Sequence, residues 1–159
     1  MRTLLASSIC LVFTLSLAGP LVAQTDPFAG TWKLNVTKSK FVPGPPLKSE
    51  TRIYESGPKG MRVSVQRVPA DGTTQEFEYT TNLDDKSYPI TGSGPYGADA
   101  IADNLTSSNS IRSTLTRGGK AVATSTLTVS PDGKVLTVAT KGKDRNGKPF
   151  NEVAVYDRQ

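Results

Sequence analysis

Short runs in which apolar and polar residues alternate fill most of the chain. Residues 61–66 read Met-Arg-Val-Ser-Val-Gln, and residues 76–80 read Glu-Phe-Glu-Tyr-Thr. A period of two is typical of β-strands that bury one face. Further runs rich in Val, Thr, Ile and Tyr occupy residues 110–117, 121–130, 135–140 and 150–156. No stretch carries the period of a long helix, so the pattern predicts an all-β protein.

Turn dipeptides separate these runs. They are Asp71-Gly72, Gly118-Gly119, Asp132-Gly133 and Asn146-Gly147. Such pairs favour tight hairpins, and short connections force successive strands to run antiparallel. We therefore expect an antiparallel up-and-down meander of about 8–10 strands. Closing the meander into a β-barrel would protect its two long edges, and a two-sheet β-sandwich is the alternative.

Two segments depart from this rhythm. Residues 39–48 include Pro43, Gly44, Pro45 and Pro46, which favour an extended, polyproline-like excursion. Residues 98–105 contain Asp99, Asp103 and Asn104, and their pattern fits either a helical turn or an irregular strand. Those three side chains could supply oxygen ligands to calcium, but capping and solvation of a short turn is the favoured interpretation.

The first 23 residues have the features of a secretory signal peptide. Met1-Arg2 gives a positive start, residues 4–17 are mostly apolar, and residues 18–23 end in a small Ala23. No later stretch approaches the roughly 20 apolar residues of a spanning helix, so we expect no transmembrane segment. The sequence predicts a secreted or periplasmic protein with one domain, residues 24–159.

Composition narrows the chemistry. The sequence has no histidine, and its one cysteine, Cys10, lies in the predicted signal peptide. The usual general base, the commonest zinc ligand and the thiol nucleophile are thus missing from residues 24–159. We expect no catalytic residue, no metal, no cofactor and no enzymatic activity. The net charge of +5 is spread along the chain without a basic, aromatic-rich stripe, so we expect no nucleic-acid partner, and we expect a monomer.

The segment Gly30-Thr31-Trp32 lies where the first strand should begin. Gly-x-Trp at this position, followed by an antiparallel meander, resembles the calycins, which include lipocalins and fatty-acid-binding proteins. Residues 30–35, with Lys38-Ser39-Lys40-Phe41 and Pro43-Gly44-Pro45, look like small exported bacterial lipocalin-like proteins of unassigned function. The resemblance implies that Arg158 packs over Trp32 and closes one end of the barrel. Fatty acid is a less favoured ligand, because Tyr156-x-Arg158 reverses the Arg-x-Tyr order of fatty-acid-binding proteins.

The barrel interior is where a ligand would bind. If Trp32 faces inward, its face should also carry Leu34, Met61, Val63, Val65, Phe77, Tyr79, Tyr88, Ile111, Leu115, Val153 and Val155. Our candidate ligand-binding residues are Met61, Val63, Val65, Phe77, Tyr79 and Tyr88. The leading hypothesis is a barrel that binds or carries a small apolar or amphipathic molecule. The alternative is an envelope or extracellular interaction protein whose barrel core is filled and holds no small molecule.

Overall fold

The structure of the protein, a computed structural model, describes residues 26–144 and 146–159. The predicted signal peptide, residues 1–23, lies outside the described residues. The described part contains twelve strands and two single-turn 3-10 helices, Val36–Lys38 and Pro95–Gly97. The strands are β1 (Gly30–Leu34), β2 (Lys40–Val42), β3 (Ser49–Gly57), β4 (Gly60–Val68), β5 (Gln75–Thr81), β6 (Asp84–Pro89), β7 (Thr91–Gly92), β8 (Ala100–Ser107), β9 (Ser110–Arg117), β10 (Lys120–Val129), β11 (Val135–Lys143) and β12 (Pro149–Arg158).

All strands join one antiparallel sheet that curls into a nearly closed barrel. The order across the sheet is β6-β8-β9-β10-β11-β12-β1-β3-β4-β5-β7, and β2 pairs with β12 outside this path. The two outermost strands, β6 and β7, are consecutive in the chain and are separated only by Ile90, which brings the sheet edges together. The predicted all-β antiparallel barrel is confirmed, and the β-sandwich alternative is not found.

The strand count exceeds the prediction because two strands are very short. β2 has three residues and lies within the proline-rich segment, and β7 has two. Residues 98–105, for which the sequence allowed a helical turn or a strand, lie mostly in β8. None of the helices among the described residues is long and apolar enough to span a membrane.

The inner face of the sheet forms one apolar core around Trp32, which is completely buried. Leu34, Ile111 and Leu115 lie in it as predicted. The inner face of β12 was predicted wrongly. Ala154 and Tyr156 face inward, whereas Val153 is exposed and Val155 is half-buried. Residues on both faces of this strand are apolar, so alternation alone does not identify the inner one.

Tyr88 is a second correction to the predicted interior. Its side chain is only half-buried, and its hydroxyl donates a hydrogen bond of 2.8 Å to Asp84 Oδ1 at the surface. Tyr88 lies on β6 one residue before Pro89, where the strand ends. A strand at the open edge of the sheet has no second neighbour to hold its inner face against the core.

Candidate functional site

One end of the barrel is closed by Trp32 and Arg158. The Arg158 guanidinium carbon lies 4.2 Å from the centre of the indole ring, a cation–π geometry. The guanidinium donates hydrogen bonds to the carbonyl oxygens of Pro27, Ala29 and Gly133 at 2.5–2.6 Å. The indole Nε1 donates to the Phe28 carbonyl oxygen at 2.8 Å. These contacts satisfy buried donors and seal this end against a ligand.

Gly30 is explained by the same closure. A Cβ at this position would lie 2.9 Å from Arg158 Nη1, and the backbone has a φ of +127°, which L side chains rarely adopt. Any other residue would therefore push the guanidinium away from the ring of Trp32. The glycine of the Gly-x-Trp motif therefore leaves the space that the Arg158 guanidinium occupies.

A cavity of about 300 Å³ occupies the barrel interior. The proline-rich segment contributes Phe41, Pro45 and Leu47 to its wall. Other lining residues are Glu50, Arg52, Arg67, Pro69, Gln75, Phe77, Tyr79, Ile90, Pro95, Tyr96, Ile101, Ser113, Leu115, Ser125, Leu127, Val138, Thr140, Glu152, Ala154 and Tyr156. An engineered cavity of about 150 Å³ holds benzene, so this space suits a molecule about the size of two fused rings.

Two of the six candidate ligand-binding residues line the cavity, and four do not. Phe77 and Tyr79 line the cavity. Met61, Val63 and Val65 are buried, but they pack in the core of β4 and are not part of the cavity wall. Tyr88 lies outside it, on the half-exposed face described above. The cavity wall therefore includes β5 from the candidate list and extends to β3 and β8 to β12, which the list did not include.

A buried charged cluster on β3 and β12 forms one side of the cavity. Arg52 Nε donates to Glu50 Oε1 at 2.5 Å, and the Tyr156 hydroxyl donates to the same oxygen at 2.7 Å. Burial lowers the pKa of Arg52, but the nearby Glu50 carboxylate and the tyrosine hydroxyls outweigh it, so the guanidinium stays protonated. Burial raises the pKa of Tyr156, which therefore remains a neutral donor. The cluster offers a fixed ion pair and a hydroxyl to the interior.

A second polar group lies by the 3-10 turn Pro95–Gly97. The Tyr96 hydroxyl donates to Glu152 Oε2 at 2.6 Å, and the Tyr96 ring stacks on Phe150 with centroids 4.2 Å apart. Burial raises the pKa of Glu152, while the hydrogen bond from Tyr96 and the positive charge of Arg67 act in the opposite direction. Arg67 Nε in turn donates to Gln75 Oε1 at 2.9 Å. Arg67 is thus a nearby positive charge that partly offsets the effect of burial on the pKa of Glu152.

Asp103 is a further ionisable residue of the interior, and it does not line the cavity. It is 2% exposed, and its Oδ1 has no hydrogen-bond partner among the residues that the structure describes. Burial raises its pKa to about 6, although hydroxyls of Ser113 and Thr81 hydrogen-bond to the carboxyl and lower it. Asn104 is adjacent on β8 and points to the other face, and Asp99 accepts a hydrogen bond from the Gly118 amide at the surface. The three oxygen-bearing residues considered for calcium therefore do not converge.

Fold and site together define an antiparallel β-barrel that is sealed at one end and holds a cavity of mixed polar and apolar character. No family model and no curated protein matches the sequence. The crystal structure of Rv2717c from M. tuberculosis is similar, with a TM-score of 0.51 and 14% sequence identity. The match covers 84% of this chain and 93% of that chain. This likeness concerns the fold alone.

Proposed function

We propose that this protein is an exported, lipocalin-like binding protein that holds a small amphipathic molecule inside its barrel. The cavity of about 300 Å³ is the observation that carries the proposal. Its wall combines apolar residues such as Phe77, Leu115 and Leu127 with nearly as many polar and charged ones, a composition that suits an amphipathic molecule. The polar groups orient a ligand, and burial of its apolar surface supplies the affinity.

Binding without chemical conversion is the activity that these side chains favour. Each lining carboxylate is held by hydrogen bonds at one oxygen: Glu50 Oε1 accepts from Arg52 and Tyr156, and Glu152 Oε2 accepts from Tyr96. Hydrogen bonds to a carboxylate stabilise its charged form and lower its basicity, which disfavours a role as general base. The interaction-protein alternative requires a filled barrel, and a cavity of this size gives it no support.

Native mass spectrometry of the protein purified from its own host tests the proposal. The protein should carry a noncovalent mass that is released on denaturation. Ala154→Phe, which adds a ring at the cavity wall, should lose that mass. Val153→Phe adds the same ring at the neighbouring position, where the side chain is exposed, and should keep it. Equal occupancy of the two variants, or a wild-type protein that never carries a ligand, would contradict the proposal.

A further inference from the structure

A row of polar side chains crosses the inner wall of the barrel. Strand register places Asp103 opposite Ser113, Ser113 opposite Ser125, and Ser125 opposite Thr140, and the row ends at Glu152 opposite Thr140. Directly opposed residues of antiparallel strands lie about 5 Å apart, so the row forms a continuous polar band. Its middle is hydrogen-bonded, since Ser125 Oγ and Thr140 Oγ1 are 2.9 Å apart.

Apolar rows flank this band on both sides. Ile101 is opposite Leu115 on one side of the band, and Leu127 is opposite Val138 on the other side. Each of these pairs lies two positions along its strands from the band. All four of these side chains line the cavity, as do Ser113, Ser125, Thr140 and Glu152. Because inward residues alternate along each strand, the wall reads apolar, polar and apolar in successive layers. A ligand against it would meet hydroxyl groups across its middle and hydrocarbon above and below.

The charges that line the cavity balance. Among the described residues they are two acids, Glu50 and Glu152, and two bases, Arg52 and Arg67. Arg52 is paired with Glu50 at 2.5 Å, and the charge of Arg67 acts on Glu152. A buried ligand charge would lack a matching partner, which is costly in an interior. Asp103, the first residue of the row, does not line the cavity and adds no charge to its wall.

We infer that the ligand is an uncharged ring compound, about the size of two fused rings, that carries hydroxyl groups able to contact the polar row. This inference rests on the proposed function and specifies its ligand class. The hydroxyls of Ser125 and Thr140 use one of their protons in the bond between them, so the second proton and the free lone pairs remain for a ligand. A purely apolar guest would offer no acceptor to the second proton.

Four probes of matched size test the inference by isothermal titration calorimetry at pH 7. They are naphthalene-2,6-diol, naphthalene, 2-naphthoate and 2-naphthylmethylammonium. The diol should bind roughly tenfold more tightly than each of the others, because one to two good hydrogen bonds are worth about that factor. If none of the probes binds, both this inference and the proposed function are contradicted. If a charged probe or naphthalene binds as tightly as the diol, the function stands and this inference fails.

A variant without the Ser125 and Thr140 hydroxyls tests whether these groups cause the preference for the diol. The double variant Ser125→Ala/Thr140→Val removes both partners of one hydrogen bond, a change that leaves no unsatisfied group in the fold. It should bind naphthalene at least as well as the wild type and lose most of the preference for the diol. Thr126→Val, beside Ser125 on the exposed face of β10, should keep the wild-type preference. A folded double variant, checked by circular dichroism, that still prefers the diol tenfold would overturn the assignment to this row.

Discussion

The buried carboxyl of Asp103 should make the stability of the barrel depend on pH, and Asp103→Asn should abolish that contribution. Asp103 is 2% exposed, and Oδ1 has no hydrogen-bond partner within the described part of the chain. Burial is the main reason that its pKa rises from 3.8 to about 6 in the folded protein. The folded state therefore holds this proton more tightly than the unfolded chain does, and ionisation favours unfolding.

The size of the effect follows from the two pKa values. A pKa shift of one unit corresponds to about 1.4 kcal/mol. The shift from 3.8 to about 6 therefore makes Asp103 contribute about 3 kcal/mol to the pH dependence of the unfolding free energy. Because the folded pKa is raised, the contribution is fully present below about pH 4 and is lost as the pH rises through about 6. Asparagine does not ionise, so the variant should gain most of this, roughly 2 to 3 kcal/mol, relative to the wild type between pH 4 and pH 8.

Urea denaturation followed by fluorescence measures this difference. The sequence has one tryptophan, and Trp32 is completely buried, so its emission should report unfolding. Asp71, Asp84, Asp132 and Asp157, whose pKa values are lowered by hydrogen bonds, act in the opposite direction. Both proteins share these groups, so their effect cancels in the difference.

The exposed Asp85 provides the control for this experiment. Asp85→Asn should follow the wild-type profile from pH 4 to pH 8. The reasoning would be refuted if the difference between Asp103→Asn and the wild type changed by less than about 1 kcal/mol over this range.

Three further predictions concern the closed end and the charged cluster. Trp32→Ala should lower the unfolding free energy by about 3–5 kcal/mol in urea titrations, and an unchanged midpoint would refute the buried placement. Gly30→Ala should lower the melting temperature in calorimetry, because a Cβ would meet Arg158; a neutral effect would contradict that contact. Arg52→Met should lower the unfolding free energy by about 3–5 kcal/mol, because it leaves Glu50 buried without its cation. The double variant Arg52→Met/Glu50→Leu should recover most of this loss. If the double variant is no more stable than Arg52→Met, the interior charges are not paired as described.

The fold was largely predictable because its signals are local. Alternation of apolar and polar residues and the turn dipeptides identified most strands, and each hairpin follows from a short connection. The short strands β2 and β7 escaped prediction because two or three residues are too few to show a period. Residues 98–105 became a strand because β9 offers its ladder of hydrogen bonds, which no property of the segment itself reveals.

The cavity wall was harder to predict, although part of the signal was present. Arg158 packs over the inward Trp32, and inward residues recur every second position, so Tyr156 and Ala154 had to share its face. Glu152, two residues before Ala154, lies on the same inner face of β12. The hydrophobic pattern favoured Val153 instead, because valine is more apolar than the residues beside it.

On β3, for which no inner face was predicted, hydrophobicity alone does not identify the inner face. Ile53 is exposed, whereas Glu50 and Arg52 face the interior as a pair. A carboxylate and a guanidinium two residues apart on a strand share one face, and their mutual bond makes burial tolerable. A hydrophobicity scale treats each residue separately, so it does not detect two charged residues that are buried together as an ion pair.

The closure between β1 and β12 also shapes how the barrel must fold. The bond from Arg158 to the Ala29 carbonyl spans 129 residues of sequence, and the pairing of β1 with β12 is equally remote. Closing a loop of this length costs entropy before any contact repays it, and proteins rich in such pairings fold in milliseconds to seconds. Until the two strands meet, the hairpins form an open sheet whose apolar inner face is in water. Aggregation during refolding should therefore be greatest in this interval, and slow closure, not slow hairpin formation, should limit the yield.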